Sequence, residues 1–358
     1  MLGTLVACSP GPEGKGTPAL PVNPTPTKPG EVVVLAGDGQ ESNQPEDGAY
    51  AVRTSITPVG GIAAGHDGSV YFGVKYGDSA RVARVAPDGR LHLLDPHLKV
   101  HDDSSFRMYS TKMVVSKTDL WLFSSDNKGS LQKIPLHQSA APRYMFGSTT
   151  DSHVVFINDK GHEFPANRQR ELNKSWRAST FGLGPNNQPI VATESGDLYE
   201  LIGENKLRPW NPVGYQAVLG RVRQRGGELT PLYPGAVISD ETENVYIVGN
   251  STILIPRNGP ATSIGKGFPG ADPSWSGGVA LAKERLLLTR SVNYDGILLV
   301  LNGDDSERQI SLGSGKECIE GGDRTSLNNG GLYGLTRRPD GTLITTACNH
   351  VFGFRPME

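Results

Sequence analysis

The feature that most constrains this chain is a unit of short apolar runs that returns near its end with the same spacing. The first copy opens with Pro58-Val59-Gly60-Gly61-Ile62-Ala63-Ala64 and turns at His66-Asp67-Gly68. It continues through Ser69-Val70-Tyr71-Phe72-Gly73-Val74, a turn at Gly77-Asp78-Ser79, Arg81 to Val85, a turn at Pro87-Asp88-Gly89, and Arg90 to Leu94. Asp-Gly suits tight turns because Gly accepts positive φ without a steric cost. In the last copy Gly334-Leu335, Asp340-Gly341 and Leu343-Ile344 repeat the spacing of Gly61-Ile62, Asp67-Gly68 and Val70-Tyr71. Four short strands per unit, joined by tight turns, predict a series of four-stranded antiparallel sheets.

Looser copies begin at Met113, Phe181, Gly235 and Gly277, giving six units whose openings lie 42 to 68 residues apart. The sixth ends at Val351-Phe352-Gly353-Phe354 with three strands, while a spare strand, Glu31 to Ala36, precedes the first. A ring closes if that N-terminal strand supplies the outer edge of the last sheet, which hides an edge that would otherwise template aggregation. The expectation is an all-β, six-bladed β-propeller. The long interval after Met113 leaves five and seven blades as alternatives. No amphipathic helix of three turns is evident, and the best helical candidate, Asn167 to Trp176, is short and polar. The 45 Gly and 26 Pro among 358 residues exceed ordinary usage, as a chain rich in turns requires.

The first unit resembles the NHL-repeat β-propellers, whose units read A-G-x-G, P-x-G-I/V-A, D-G-x-L/V-Y and R-V-x-R-V-x-P-D-G. The matching segments are Ala36-Gly37-Asp38-Gly39, Pro58 to Ala63, Asp67 to Tyr71 and Arg81 to Gly89. The sixth unit matches in part, and the middle units keep the rhythm without the letters. Similar propellers include a peptide lyase that uses zinc held by several His, and lactonases that bind calcium through Glu, Asn and Asp from different blades.

Residues 1–8, ending Leu5-Val6-Ala7-Cys8, resemble the end of a bacterial lipoprotein signal peptide, which implies lipid attachment at Cys8. Only seven residues precede Cys8 and none is basic, so this reading implies a start codon upstream; the alternative is a chance Cys. Residues 9–30 hold seven prolines and predict an extended tether to a propeller over 31–358. Cys318 and Cys348 are disulfide candidates in an exported domain, where pairing would add ~3–4 kcal/mol in the chain-entropy view; two free thiols are the alternative.

The charge balance, 35 Lys and Arg against 37 Asp and Glu, argues against nucleic-acid binding and against a polybasic membrane surface. Apolar runs such as Ile297 to Leu301 are far shorter than the ~20 residues of a spanning helix. The eight His form no HxH or HxxxH pair, and loop or surface positions are expected for them. Asp102-Asp103 and Asp304-Asp305 read as solvated turn acids, and neither a phosphate loop nor a Gly-x-Ser-x-Gly elbow is present. Arg208, Arg221, Arg223 and Arg225, with Arg168, Arg170 and Arg177, make a basic segment read as solvated loop. The aromatic residues at unit boundaries are read mainly as packing.

These readings converge on a monomeric, extracytoplasmic binding or scaffold module anchored to the cell membrane through its lipid. Its expected partner is an envelope protein, peptide or glycan. Lys112, Tyr233, Trp275 and Tyr333, each near an opening strand, are the candidate ligand-binding residues at the channel mouth. No catalytic residue, metal ligand or cofactor is assigned. The alternative is a metal-dependent lactonase- or lyase-like enzyme, with calcium as its ion.

Overall fold

The computed structural model describes residues 24–77, 79–94, 111–124, 130–136, 143–146, 154–158, 160–165, 178–224, 232–264, 275–281, 285–292, 295–301, 307–311, 333–347 and 349–355. Its strands assemble into six sheets. Sheet 1 holds β2 (Pro58–Ala64), β3 (Val70–Tyr76), β4 (Ser79–Val85) and β5 (Leu91–Leu93) in sequence order. Sheet 2 holds β6 (Thr111–Val115), β7 (Asp119–Ser124), β8 (Ser130–Pro135) and β9 (Arg143–Phe146).

Sheet 3 contains β12 (Ala178–Leu183), β13 (Pro189–Thr193), β14 (Leu198–Gly203) and β15 (Lys206–Pro209). Two more strands, β10 (Val155–Ile157) and β11 (Glu163–Pro165), extend its outer edge, with β10 parallel to β15. This annex occupies part of the long interval after Met113. Sheet 4 is β16 (Ala236–Ser239), β17 (Val245–Val248), β18 (Thr252–Ile255) and β19 (Thr262–Ile264). Sheet 5 is β20 (Trp275–Leu281), β21 (Arg285–Val292), β22 (Asp295–Leu301) and β23 (Glu307–Ser311).

Sheet 6 has the order β1-β26-β25-β24, built from β1 (Val32–Ala36), β24 (Tyr333–Arg337), β25 (Leu343–Ala347) and β26 (His350–Phe354). The N-terminal strand therefore forms the outer edge of the last sheet, antiparallel to β26, with Val32 opposite Phe354 and Val34 opposite Phe352. A clasp precedes it: Thr27 and Lys28 donate their backbone amides to the Glu31 carboxylate at 2.5 and 3.0 Å. Gly30 donates to the Arg355 carbonyl at 3.0 Å, so pairing starts at the end of the expected tether.

The first strand of each sheet packs against its counterparts in the sheets before and after it, and β2 packs against β24. The core lies between sheets rather than inside any one. Tyr71 and Val82 of sheet 1 meet Leu120 and Leu122 of sheet 2, and Trp121 and Phe123 of sheet 2 meet Phe181 and Val191 of sheet 3. Tyr246 and Leu254 meet Leu286 and Leu288, Leu287 meets Leu343 and Phe352, and Ile344 and Val351 meet Ile62 and Phe72. Six such clusters carry the contacts, and full burial of each large apolar side chain contributes about 1.5–3 kcal/mol. The inner strand β2 is buried on both faces except at its last residue, as stacking between two neighbours demands.

The inner strands approach one another too closely for side chains at some positions. A Cβ on Gly182 would stand 2.3 Å from the Val237 carbonyl oxygen, and one on Gly334 would stand 2.7 Å from Ile62 Cγ2. Part of the glycine excess thus serves inter-sheet contact. The Asp-Gly turns share one hydrogen-bond scheme. Asp67, Asp88 and Asp340 each accept the backbone amide two residues on, at 3.0, 3.1 and 2.9 Å.

Among the described residues one α-helix interrupts the succession of strands. Helix α1 (Tyr215–Arg223) follows sheet 3 and buries Tyr215, Val218 and Leu219 against Ile190, Leu198 and Val245. The Tyr215 hydroxyl donates to the Gly196 carbonyl at 2.6 Å, which ties the helix to the turn after β13. Arg221 and Arg223 belong to this helix rather than to a loop. Arg223 reaches the Ser195 carbonyl and Asp197, while Arg208 pairs with Glu200. The helical candidate at Asn167 to Trp176 lies outside the described residues, as do Cys8, Cys318 and Cys348.

Candidate functional site

All six inner strands run from one face of the ring toward the other. The face where they begin is here the first face, and the face where they end is the second. A cavity of about 520 Å³ opens at the second face, lined by the last residues of β2, β6, β12, β16, β20 and β24. Its throat is apolar, built from Ile62, Met113, Leu183, Ile238, Val279 and Leu335. Its rim is polar and carries both charges: His66, Ser239, Asp240, Glu241, Arg337 and Arg338.

Each rim acid has a distinct status. Asp240 Oδ1 accepts the amides of Thr242 and Asn244 at 2.8 and 2.9 Å, and Oδ2 accepts Asn244 Nδ2 at 2.8 Å and the Tyr246 hydroxyl at 3.2 Å. Burial works to raise its pKa, but the Thr242 and Asn244 hydrogen bonds outweigh this and hold the carboxyl below the usual carboxylate range. Asp240 therefore fixes its own turn. Glu241 is largely exposed and pairs with Arg337 Nη1 at 2.9 Å, a contact between sheets 4 and 6. The Thr336 hydroxyl accepts the Ala64 amide at 3.2 Å, joining sheet 6 to sheet 1 at the rim.

Arg338 is different. Its side chain is 10% exposed, and its Nη2 lies 3.5 Å from Asp340 Oδ2. Nε and Nη1 are buried and have no hydrogen-bond partner. The carboxylate facing it is also shared. At Asp340, burial raises the pKa, and it is outweighed by the Thr342 hydrogen bonds and by the charges of Arg338 and Arg355.

Near the first face stands Lys112, one of the sequence candidates. From β6 its Nζ donates to Thr180 Oγ1 of β12 at 2.7 Å and to the carbonyl of Gly235, just before β16. Burial of the ammonium group pushes its pKa down to about 7. Tyr233 is nearby in sequence to Gly235, 44% exposed and at φ +45°. Trp275 and Tyr333 are the first residues of β20 and β24, and their side chains lie outside the described set. All four candidates thus sit at or just before inner-strand starts, and none lines the described cavity. The rim residues were missed because they lie at the ends of the inner strands and in the turns that follow, with Ser239 closing β16 and Arg337 closing β24. Their signal was the pair Arg337-Arg338 followed by a Pro-Asp-Gly turn.

The histidines divide. His66 is exposed in its turn and His162 is exposed, whereas His350 is 3% exposed on β26 with its ring 5.1 Å from that of Phe352. The expectation of loop or surface histidines therefore fails at His350, which the closure of sheet 6 covers. His97, His101, His137 and His153 lie outside the described residues, as do Asp102, Asp103, Asp304 and Asp305. Among the described residues no three of His, Cys, Asp and Glu gather closely enough to hold a metal. No helix among them is long and apolar enough to cross a membrane.

These sheets, their ring of inner strands and the axial cavity define a β-propeller. No family model matches the sequence, and comparison with curated proteins finds no match. Among solved structures, one similar chain is a structural genomics protein of unknown function from Bacteroides thetaiotaomicron. It is 13% identical, with a TM-score of 0.52 over 91% of this chain and 75% of that one. An auxiliary nutrient binding protein from the same organism is 8% identical, with a TM-score of 0.52 over 90% and 75%. A virginiamycin B lyase from Staphylococcus aureus is 9% identical, with a TM-score of 0.48 over 87% and 99%. At these identities the likeness is one of fold.

Proposed function

We propose that this chain is a six-bladed β-propeller of the NHL-repeat type that works as a binding module outside the cytoplasm. It is held at the cell membrane by a lipid on Cys8 and by the tether 9–30. The observation that carries the binding reading is the cavity at the second face, with its apolar throat and mixed-charge rim. Such a site recognises a ligand through an apolar body and a few placed polar groups. Its rim acids are engaged, Asp240 by its own turn and Glu241 by Arg337, so the mouth is equipped for recognition. The six inter-sheet clusters support the blade count, and the first-unit motifs support the NHL type.

A photo-crosslinking residue placed at His66, on the rim, tests this in intact cells. The control carries the same residue at Ile202, which is 40% exposed and outside the cavity. A defined adduct from position 66 and none from position 202 is expected. Equal labelling from both positions would overturn the assignment of the mouth. Anchoring is tested separately, because Cys8→Ala should move the protein from the membrane to the soluble fraction.

A further inference from the structure

We propose that the ligand of the second-face cavity carries an anionic head group, a carboxylate or a phosphate ester, on an apolar body, and that Arg338 receives the head. This rests on the reading of that cavity as the binding mouth. A guanidinium is planar, always charged and a donor only. Burying one without hydrogen bonds is unfavourable, and proteins rarely leave such groups unmet without a role. Arg338 is nine-tenths buried at the cavity wall, with Nε and Nη1 lacking partners and Nη2 3.5 Å from Asp340.

Asp340 does not meet the need. Its Oδ1 takes the Thr342 amide at 2.9 Å, and the charge of Arg355 also acts on it. The guanidinium lies beside Gly68, where a Cβ would stand 3.5 Å from Nη2. Turning the side chain toward the cavity sacrifices no hydrogen bond at Nε or Nη1, because neither makes one. An anion at the mouth would provide the missing acceptors through charge-assisted bonds.

The neighbouring arginine shows the same recognition in miniature. Arg337 already holds a carboxylate, that of Glu241, whose side chain is 81% exposed. An exposed pair of this kind is weak, and an incoming anion can displace Glu241 into solvent at little cost. Below the two arginines the throat offers Ile62, Leu183, Ile238, Val279 and Leu335 to an apolar body. The head and body requirements therefore meet in one ligand class.

Isothermal titration with octanoate, octyl phosphate and octanol tests the proposal on the full chain. Binding of at least one charged probe, with octanol at least about tenfold weaker, is expected. Arg338→Gln should remove that preference, bringing the charged probes to within about threefold of octanol, and a preference between the two charged probes names the head group. Equal binding of octanol and the charged probes overturns the anion assignment and leaves the mouth reading standing. Unchanged charged-probe binding in Arg338→Gln also overturns it, as does failure of all three probes to bind. The crosslinking at His66 judges the mouth independently. Should Arg338→Gln fail to fold, the three-probe comparison on the unmodified protein decides alone.

Discussion

Replacing Lys112 with methionine is expected to stabilise the fold at neutral pH and to flatten its dependence on pH. The amine lies where three sheets meet, held by Thr180 and the Gly235 carbonyl. Burial lowers its pKa from 10.5 to about 7 in the folded protein, while the unfolded chain keeps the ordinary value. Between those values the unfolded state binds more protons than the folded one, so stability rises with pH across that window. At ~1.4 kcal/mol per tenfold, the full penalty is about 5 kcal/mol, present below pH 7 and relieved as the pH approaches 10.5. From pH 7 to 9 the relief is about 2 kcal/mol.

Methionine keeps the stem and loses two hydrogen bonds, each worth about 1 kcal/mol. The Gly235 carbonyl retains the Thr180 hydroxyl at 3.2 Å. Lys112→Met should therefore be about 2–3 kcal/mol more stable than the unmodified protein at pH 7, with the difference shrinking toward pH 9. Urea unfolding of both proteins at pH 6, 7, 8 and 9 measures it. A difference that does not change over that range, or a methionine variant less stable at pH 7, would refute a desolvated amine at this junction.

Removing residues 1–36 strips β1 from sheet 6 and bares the edge of β26; light scattering should then show a larger share of oligomers or aggregates than the full chain gives under the same conditions. Gly182→Ala puts a Cβ 2.3 Å from the Val237 carbonyl oxygen, so β12 and β16 must separate, and a loss of about 2 kcal/mol or more is expected in chemical unfolding. Asp67, Asp240 and Asp340 all have carboxyl pKa values held below the ordinary value of 3.8. Their contribution is present above that value and is lost as the pH falls through the lower folded values, so the unfolding midpoint should drop steeply below about pH 4. Asp240→Asn should blunt that acid response, as thermal melts across pH 2 to 6 would show.

Much of the ring was legible because its signals are local. The Asp-Gly turns at Asp67, Asp88 and Asp340 carry their own hydrogen bonds, and the spacing between turns sets the strand lengths. The closing strand was legible by subtraction, since a three-stranded last unit and a spare first strand complete each other. Helix α1 escaped notice because nine residues carry a weak period, although Tyr215, Val218 and Leu219 stand at helical spacing and are buried. The annex β10–β11 escaped because three-residue strands have too few residues to show alternation.

The sequence by itself determined the sheets, their order and the means of closure. Those follow from turn chemistry and apolar alternation between neighbours in the chain. Only the tertiary structure decided which end of the axis holds the described cavity, and which polar groups lie buried there. Arg338 and Asp340 look like ordinary turn residues in sequence, and Lys112 looks like any strand lysine. Their unmet or displaced charges arise from how closely several sheets crowd around the axis. That crowding is a property of the ring, set by side chains far apart in the chain.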